Sequence, residues 1–60
     1  MYIVRFIRKD NNADEFYFYS KATDALYHIK FFSNDTSGLY TKIQLIYEED
    51  KPIVVTEINF

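Results

Sequence analysis

The sequence contains no cysteine, one histidine, one glycine and one proline. Without cysteine no disulfide can stabilise so short a chain, and with His28 as its only histidine the chain has no Cys and His zinc site. Gly38 by itself cannot build the glycine-rich loop that binds phosphate. We therefore expect no cofactor and no metal, and stability that comes from dense packing or self-association.

Long apolar runs and an excess of charge of one sign are also missing. No 18 apolar residues run together, and Arg5 and Arg8 interrupt the N-terminal stretch, so the sequence predicts neither a transmembrane helix nor a signal peptide. The formal net charge is −2, and no basic face of the kind that binds nucleic acid is indicated. We expect a cytoplasmic protein that attaches to no membrane.

Aromatic residues are abundant for so short a chain. Six Tyr and six Phe occur among 60 residues, of which 48% are hydrophobic. This length predicts a single domain spanning residues 1–60. Residue types with A- and T-rich codons outnumber those with G- and C-rich codons, which is typical of low-GC bacterial genomes and of their phages and mobile elements.

Alternating apolar residues predict four strands. The predicted strands cover residues 2–8, 15–19, 40–48 and 53–58. Asn and Asp residues between the first two strands predict a hairpin turn. Pro52 stands where the start of a strand tolerates a missing amide hydrogen.

Between the second and third strands the apolar period changes to that of a helix, which we predict over residues 21–33 with Ser20 as its N-cap. The apolar stripe of this helix consists of Ala22, Ala25, Leu26, Ile29 and Phe32. The element order ββαββ predicts a two-layer α+β domain, in which one helix packs on one face of a four-stranded, mostly antiparallel sheet. The strand order stays open.

The apolar residues exceed what one helix can cover. Every predicted strand offers apolar side chains on both faces, and one helix covers only one face of a sheet. Tyr27 and Phe31, four residues apart, lie roughly opposite the apolar stripe and form a second apolar spot. The candidate interface residues are Tyr17, Tyr19, Tyr27, Phe31 and Ile46. We expect the uncovered face of the sheet, the spot formed by Tyr27 and Phe31, or both to be buried against a partner.

The polar residues of the helix are weak candidates for catalysis or metal binding. Ser20, Asp24 and His28 follow one another at intervals of one helical turn, whereas a catalytic triad needs the histidine between the other two. Asp24 and His28 supply only two metal ligands. A helical ion pair between Asp24 and His28 is the expected arrangement, and we predict that the protein is not an enzyme.

Nucleic-acid binding is the alternative. The aromatic run at residues 16–19, with Arg5 and Arg8 on the preceding strand, resembles a sheet that stacks bases. The run follows Asp14 and Glu15, however, and lacks the glycine and the leading basic residue of the RNA-recognition signature.

The sequence therefore predicts a small, non-enzymatic protein-interaction module that forms a homodimer or docks onto another protein. Either an apolar face of the sheet or helix is buried against the partner, or an outer strand adds to the partner's sheet through backbone hydrogen bonds. The low-GC composition favours a phage or mobile-element accessory protein that docks on a host protein and inhibits it. The identity of the partner and the apolar face that it covers stay open.

Overall fold

Four strands and one helix follow one another in the predicted order. The computed structural model describes residues 1–60. Its elements are β1 (Tyr2–Arg8), β2 (Glu15–Tyr19), α1 (Ala22–Phe31), β3 (Tyr40–Glu48) and β4 (Pro52–Asn59). The first three strands agree with the predicted ranges, and β4 is one residue longer at each end.

The strands form one sheet in the order β2-β1-β3-β4, and all three pairings are antiparallel. The N-terminal strand β1 and strand β3 are central, and β2 and β4 are the edges. The helix packs on β1, β3 and β2, and from β4 Ile58 packs against the core. The prediction of a two-layer α+β fold is confirmed.

A small core lies between the helix and the middle of the sheet. Its buried side chains are Val4, Phe6, Ala25, Ile29, Ile43 and Leu45. Val4 faces Leu45 and Phe6 faces Ile43 across the β1–β3 ladder, and Ala25 and Ile29 cover them from the helix. Only eight of the 60 residues are buried, so most apolar side chains lie outside this core.

The start of the helix differs from the prediction. The N-cap position is Lys21, and no side chain caps the first turn, so the prediction that Ser20 is the N-cap is wrong. Because Ser20 directly follows the last residue of β2 and the helix begins at Ala22, Ser20 lies one position too early to cap it.

The helix also ends two residues earlier than predicted. The N–H of Phe32 donates to Ile29 O at 3.1 Å and that of Ser33 donates to Lys30 O at 3.2 Å. These bonds span three residues, which is the tight geometry of a last helical turn. With ten residues, α1 is too short to cross a membrane.

The apolar stripe is only partly covered. Ala25 and Ile29 are buried and Phe32 packs against the core, whereas Leu26 is exposed. Leu26 is therefore a stripe residue that the sheet does not cover. The helix packs mainly on β1, β3 and β2, and Leu26 lies outside the core that they form together.

Candidate interaction surface

Strand β2 is an edge strand with exposed aromatic side chains. It pairs only with β1, in a continuous register that sets Phe18 beside Ile3, Tyr17 beside Val4 and Phe16 beside Arg5. Since Val4 faces the helix, Tyr17 lies on the helix side of the sheet and Phe16 and Phe18 lie on the open face. Phe16, Tyr17 and Phe18 are all exposed.

On the helix side, the His28 ring joins α1 to β2. It lies 4.7 Å from the Tyr17 ring and 5.3 Å from the Phe6 ring. Its Nδ1 lies 2.7 Å from Oη of Tyr19, a hydrogen-bond distance. Tyr17 and Tyr19 are thus held against the helix.

Burial lowers the pKa of His28 below its usual value of 6.5, since a partly desolvated imidazole favours its neutral form. The expected ion pair with Asp24 is absent: the ion pairs of the structure involve Arg5, Arg8 and Lys42. That prediction is wrong, because the nearby Tyr19 hydroxyl, rather than a carboxylate, lies against His28.

An open concavity of about 380 Å³ lies beside this contact. It is lined by Tyr19 of β2 and by Asp24, Tyr27, His28 and Phe31 of α1. Tyr27 and Phe31 are therefore on the β2 side of the helix, and both are largely exposed. The structure thus brings four of the five candidate residues to one edge of the molecule.

We call the exposed aromatic side chains around this edge the aromatic rim. It consists of Phe16, Tyr17, Phe18, Tyr27 and Phe31. Their exposed fractions range from 39% for Tyr17 to 76% for Phe31. The rim surrounds an unpaired strand edge, so apolar side chains and free backbone groups occur together.

Ile46, the fifth candidate, lies apart from the rim. It is central on the open face, where it pairs with Ile3 and Val54. Phe18 continues this apolar row on the far side of Ile3. Ile46 and Ile3 are already buried, whereas Phe18 and Val54 at the ends of the row are exposed. Ile46 therefore offers a partner little surface.

Both arginines near the rim, Arg5 and Arg8, form ion pairs with carboxylates. Arg5 donates to Asp14 at 2.6 Å, and Arg8 donates to Asp10 at 2.5 Å and to Glu15 at 2.7 Å. Hydrogen bonds from Arg8 hold the pKa values of Asp10 and Glu15 below their usual range. The rim therefore adjoins paired charges of both signs.

A second exposed apolar region lies at β4. Ile53, Val54 and Val55 are exposed there. A concavity of about 320 Å³ between Tyr47, Ile53 and the charged hairpin turn adjoins them. Unlike the rim, this region contains few aromatic side chains.

Phe16 and Phe18 are the rim residues that the sequence analysis did not select. Alternation shows that they share a face but not which face, since their neighbours Tyr17 and Tyr19 are equally apolar. The only hint in the sequence was Arg5, because a charged residue favours the open face of β1. The register that places Phe16 beside Arg5 is known only from the fold.

Comparisons with known proteins show no relative. The chain matches no protein-family model, and neither the curated proteins nor the solved structures give a match. No group of three His, Cys, Asp or Glu side chains is placed to hold a metal ion.

Proposed function

We propose that this protein is a non-enzymatic interaction module that associates with a second copy of itself through the aromatic rim. The observation that carries the proposal is the convergence of exposed aromatic side chains from β2 and α1 at one edge of the sheet. Exposed apolar patches mark partner sites, and aromatic residues are enriched in the cores of interfaces.

The size of the rim supports a second copy as the partner. Taking about 200 Å² for a whole aromatic side chain, complete covering of the rim removes roughly 600 Å² per copy from water. Complete covering of both rims would bury roughly 1,200 Å², the lower end for specific complexes, so a dimer that covers less of the rim is a weak one. We therefore expect a homodimer that forms at micromolar concentrations and dissociates on dilution.

The charged residues beside the rim are also compatible with a second copy as the partner. Arg5 and Arg8 are each paired within their own copy, so two copies can approach without an uncompensated charge of one sign. Like charges placed opposite each other would oppose association.

The test is the mass in solution as a function of concentration, measured by analytical ultracentrifugation. The wild-type protein should move from the 7.2 kDa chain mass toward twice that mass. The double variant Tyr27→Ser and Phe31→Ser should stay monomeric over the same range, because it removes two exposed rings of the rim without touching the core.

The matched control is Ile53→Ser with Val55→Ser, which removes two exposed apolar side chains from β4. This variant should dimerise like the wild type. A wild-type protein that stays monomeric at high micromolar concentration refutes self-association. A control variant that alone becomes monomeric refutes the rim as its site.

Docking on a host protein, and inhibition of it, stays a prediction from composition. A host protein that docks at the rim would compete with the second copy. Addition of such a partner should therefore convert the dimer into a one-to-one complex, which ultracentrifugation separates from both free proteins.

Nucleic-acid binding is the second candidate, favoured by the Arg5 guanidinium, which lies 5.7 Å from the centre of the Phe16 ring on the open face. The ion pair with Asp14 opposes it, since a phosphate would have to displace a carboxylate. Retention on heparin that weakens steeply with salt would support this candidate.

A further inference from the structure

We infer that the two copies join by antiparallel pairing of the outer edges of their β2 strands, with a two-fold axis at Tyr17. This inference rests on the proposed self-association and adds its geometry. Two four-stranded sheets would then form one continuous sheet of eight strands, with both helices on the same face.

The backbone directions of β1 follow from the hydrogen-bonded pair that directly precedes its ladder with β3. The N–H of Glu48 donates to Met1 O at 2.9 Å, and the amino group of Met1 donates to Glu48 O at 3.3 Å. In an antiparallel ladder, pairs that exchange hydrogen bonds alternate with pairs that do not. From Met1 onward, the alternate residues Ile3 and Arg5 therefore direct their backbone groups toward β3, and Val4 directs its groups toward β2.

The same alternation determines the outer edge of β2. Tyr17, the partner of Val4, directs its backbone groups toward β1. Phe16 and Phe18 consequently direct their N–H and C=O groups away from the sheet, and neither takes part in a backbone hydrogen bond outside the ladders. These free groups lie between the exposed rings of the rim.

A two-fold axis at Tyr17 uses all of these groups. It sets Phe16 opposite Phe18 of the second copy, and Phe18 opposite Phe16, so that every outward N–H and C=O of both residues finds a partner. An axis at Phe16 or at Phe18 aligns fewer outward groups of β2. Only the Tyr17 register satisfies both residues together.

Side chains in this register are compatible on both faces. Two Phe pairs lie across the new ladder on the open face, and cross-strand aromatic pairs stabilise sheets. On the helix side, Tyr17 meets Tyr17 of the second copy, and Glu15 lies opposite Tyr19. No like charges oppose each other, since Asp14 lies opposite Ser20.

The helices fit the same arrangement. Strands in a sheet lie about 4.8 Å apart, so the β1 strands of the two copies lie about 14 Å apart, with both β2 strands between them. Helices in direct contact lie about 8 to 10 Å apart. Because α1 packs on β1 and β3 as well as on β2, the two helices do not collide, and Tyr17, Tyr27 and Phe31 lie exposed on the side that faces the second copy.

The other edge of the sheet is protected against such pairing. The β3–β4 register shifts between Leu45 and Ile46, and a bulge of this kind turns an edge away from partners. Pro52 at the start of β4 has no N–H, and Glu57 places a charge on the strand. The β1–β2 register contains no shift, so β2 is the edge that is open to a second strand.

The decisive experiment is disulfide formation by Tyr17→Cys in the full chain, which has no other cysteine. At the axis, Cα atoms of a pair that exchanges no hydrogen bonds lie about 4.5 Å apart, within the range of a disulfide. The matched control Val55→Cys lies on the protected edge. Under mild oxidation Tyr17→Cys should form a covalent dimer at least about tenfold faster than Val55→Cys.

A second comparison tests the backbone bonds. Phe18→Pro removes an outward N–H that the fold of one copy does not use, and Phe18→Ala removes the same ring while keeping that N–H. Both variants should retain the circular dichroism of the wild type. Phe18→Pro should raise the dimer dissociation constant about tenfold further than Phe18→Ala does.

The outcomes separate this inference from the proposed function. A Tyr17→Cys variant that is dimeric before oxidation but crosslinks no faster than Val55→Cys overturns the β2 pairing and leaves self-association intact. If Tyr17→Cys is monomeric, the comparison of Phe18→Pro with Phe18→Ala decides. The β2 pairing is also overturned if Phe18→Pro folds and dimerises as tightly as Phe18→Ala. If Phe18→Pro does not fold, the comparison of the two cysteine variants decides. A strictly monomeric wild type overturns both proposals.

Discussion

The rings of Tyr17 and His28 lie 4.7 Å apart and meet edge to face at 75°. This contact attaches the helix to an edge strand that otherwise pairs only with β1. The same imidazole lies 2.7 Å from the Tyr19 hydroxyl. His28 therefore links α1 and β2, the two elements that carry the aromatic rim.

We expect the protein to lose stability in mildly acidic solution because of His28. Burial lowers the pKa of this imidazole from its usual 6.5, so below about pH 6.5 the unfolded chain binds a proton more readily than the folded protein. The free energy of unfolding should be constant above that pH and fall as the pH drops toward the folded pKa. Urea unfolding at about pH 7.5 and about pH 5.5, followed by circular dichroism, measures this change.

The control for this prediction is His28→Gln, whose side chain can still bond to the Tyr19 hydroxyl but does not titrate. Its stability should be the same at both pH values, whatever its absolute level, because carboxyl groups titrate at lower pH. A variant that keeps the wild-type pH dependence would show that another group is responsible.

Phe6 should be the most sensitive aromatic position of the core. It is 2% exposed. Its ring lies within 5.0 to 5.6 Å of the rings of Tyr17, His28, Phe32 and Tyr40. Phe6→Ala should cost about 3 to 5 kcal/mol, which is about the whole stability of so small a domain. We therefore expect this variant to be largely unfolded at room temperature by circular dichroism.

The matched control is Phe60→Ala, since Phe60 is 42% exposed and lies outside the core. It should stay folded and lose less than half as much stability, measured by urea unfolding. Equal losses at the two positions would mean that the core does not lie where the structure places it.

Arg8 should protect the protein against acid. Its hydrogen bonds hold the pKa values of Asp10 and Glu15 below their usual range, so this contribution to stability is fully present above about pH 4.5 and is lost as the pH falls through the lowered pKa values. Arg8→Gln should therefore show a smaller fall in melting temperature between about pH 5 and about pH 2.5 than the wild type. The control is Lys30→Gln, which removes a positive charge that forms no ion pair. Its melting temperature should fall as much as that of the wild type. If the melting temperature of Arg8→Gln also falls as much as that of the wild type, the prediction is contradicted.

The order of strands and helix was predictable because the spacing of apolar residues within each segment indicates its type. The alternation in residues 2–8 and the helical offsets around Ala25 and Ile29 each reflect one element at a time. Helix ends were less predictable: Ser20 has the right residue type for an N-cap, but the end of β2 and the start of α1 leave it one position outside the helix.

The candidate interaction surface was predictable only in part. Tyr27 and Phe31 emerge from helical spacing alone, and both are exposed at the rim. Ile46 looks equally available in the sequence, yet it is buried between Ile3 and Val54. Exposure on a sheet depends on neighbouring strands, which are distant in sequence.

The sequence by itself determined that four strands and one helix form, and that their apolar side chains exceed what one helix covers. Only the tertiary structure decided that β1 is central and β2 is an edge, and that Phe16 and Phe18 lie on the open face. The physical reason is that strands with apolar residues on both faces have no preferred side until the strand order and the position of the helix are set. The number of aromatic residues is thus a property of the sequence, whereas their position around one edge strand is a property of the fold.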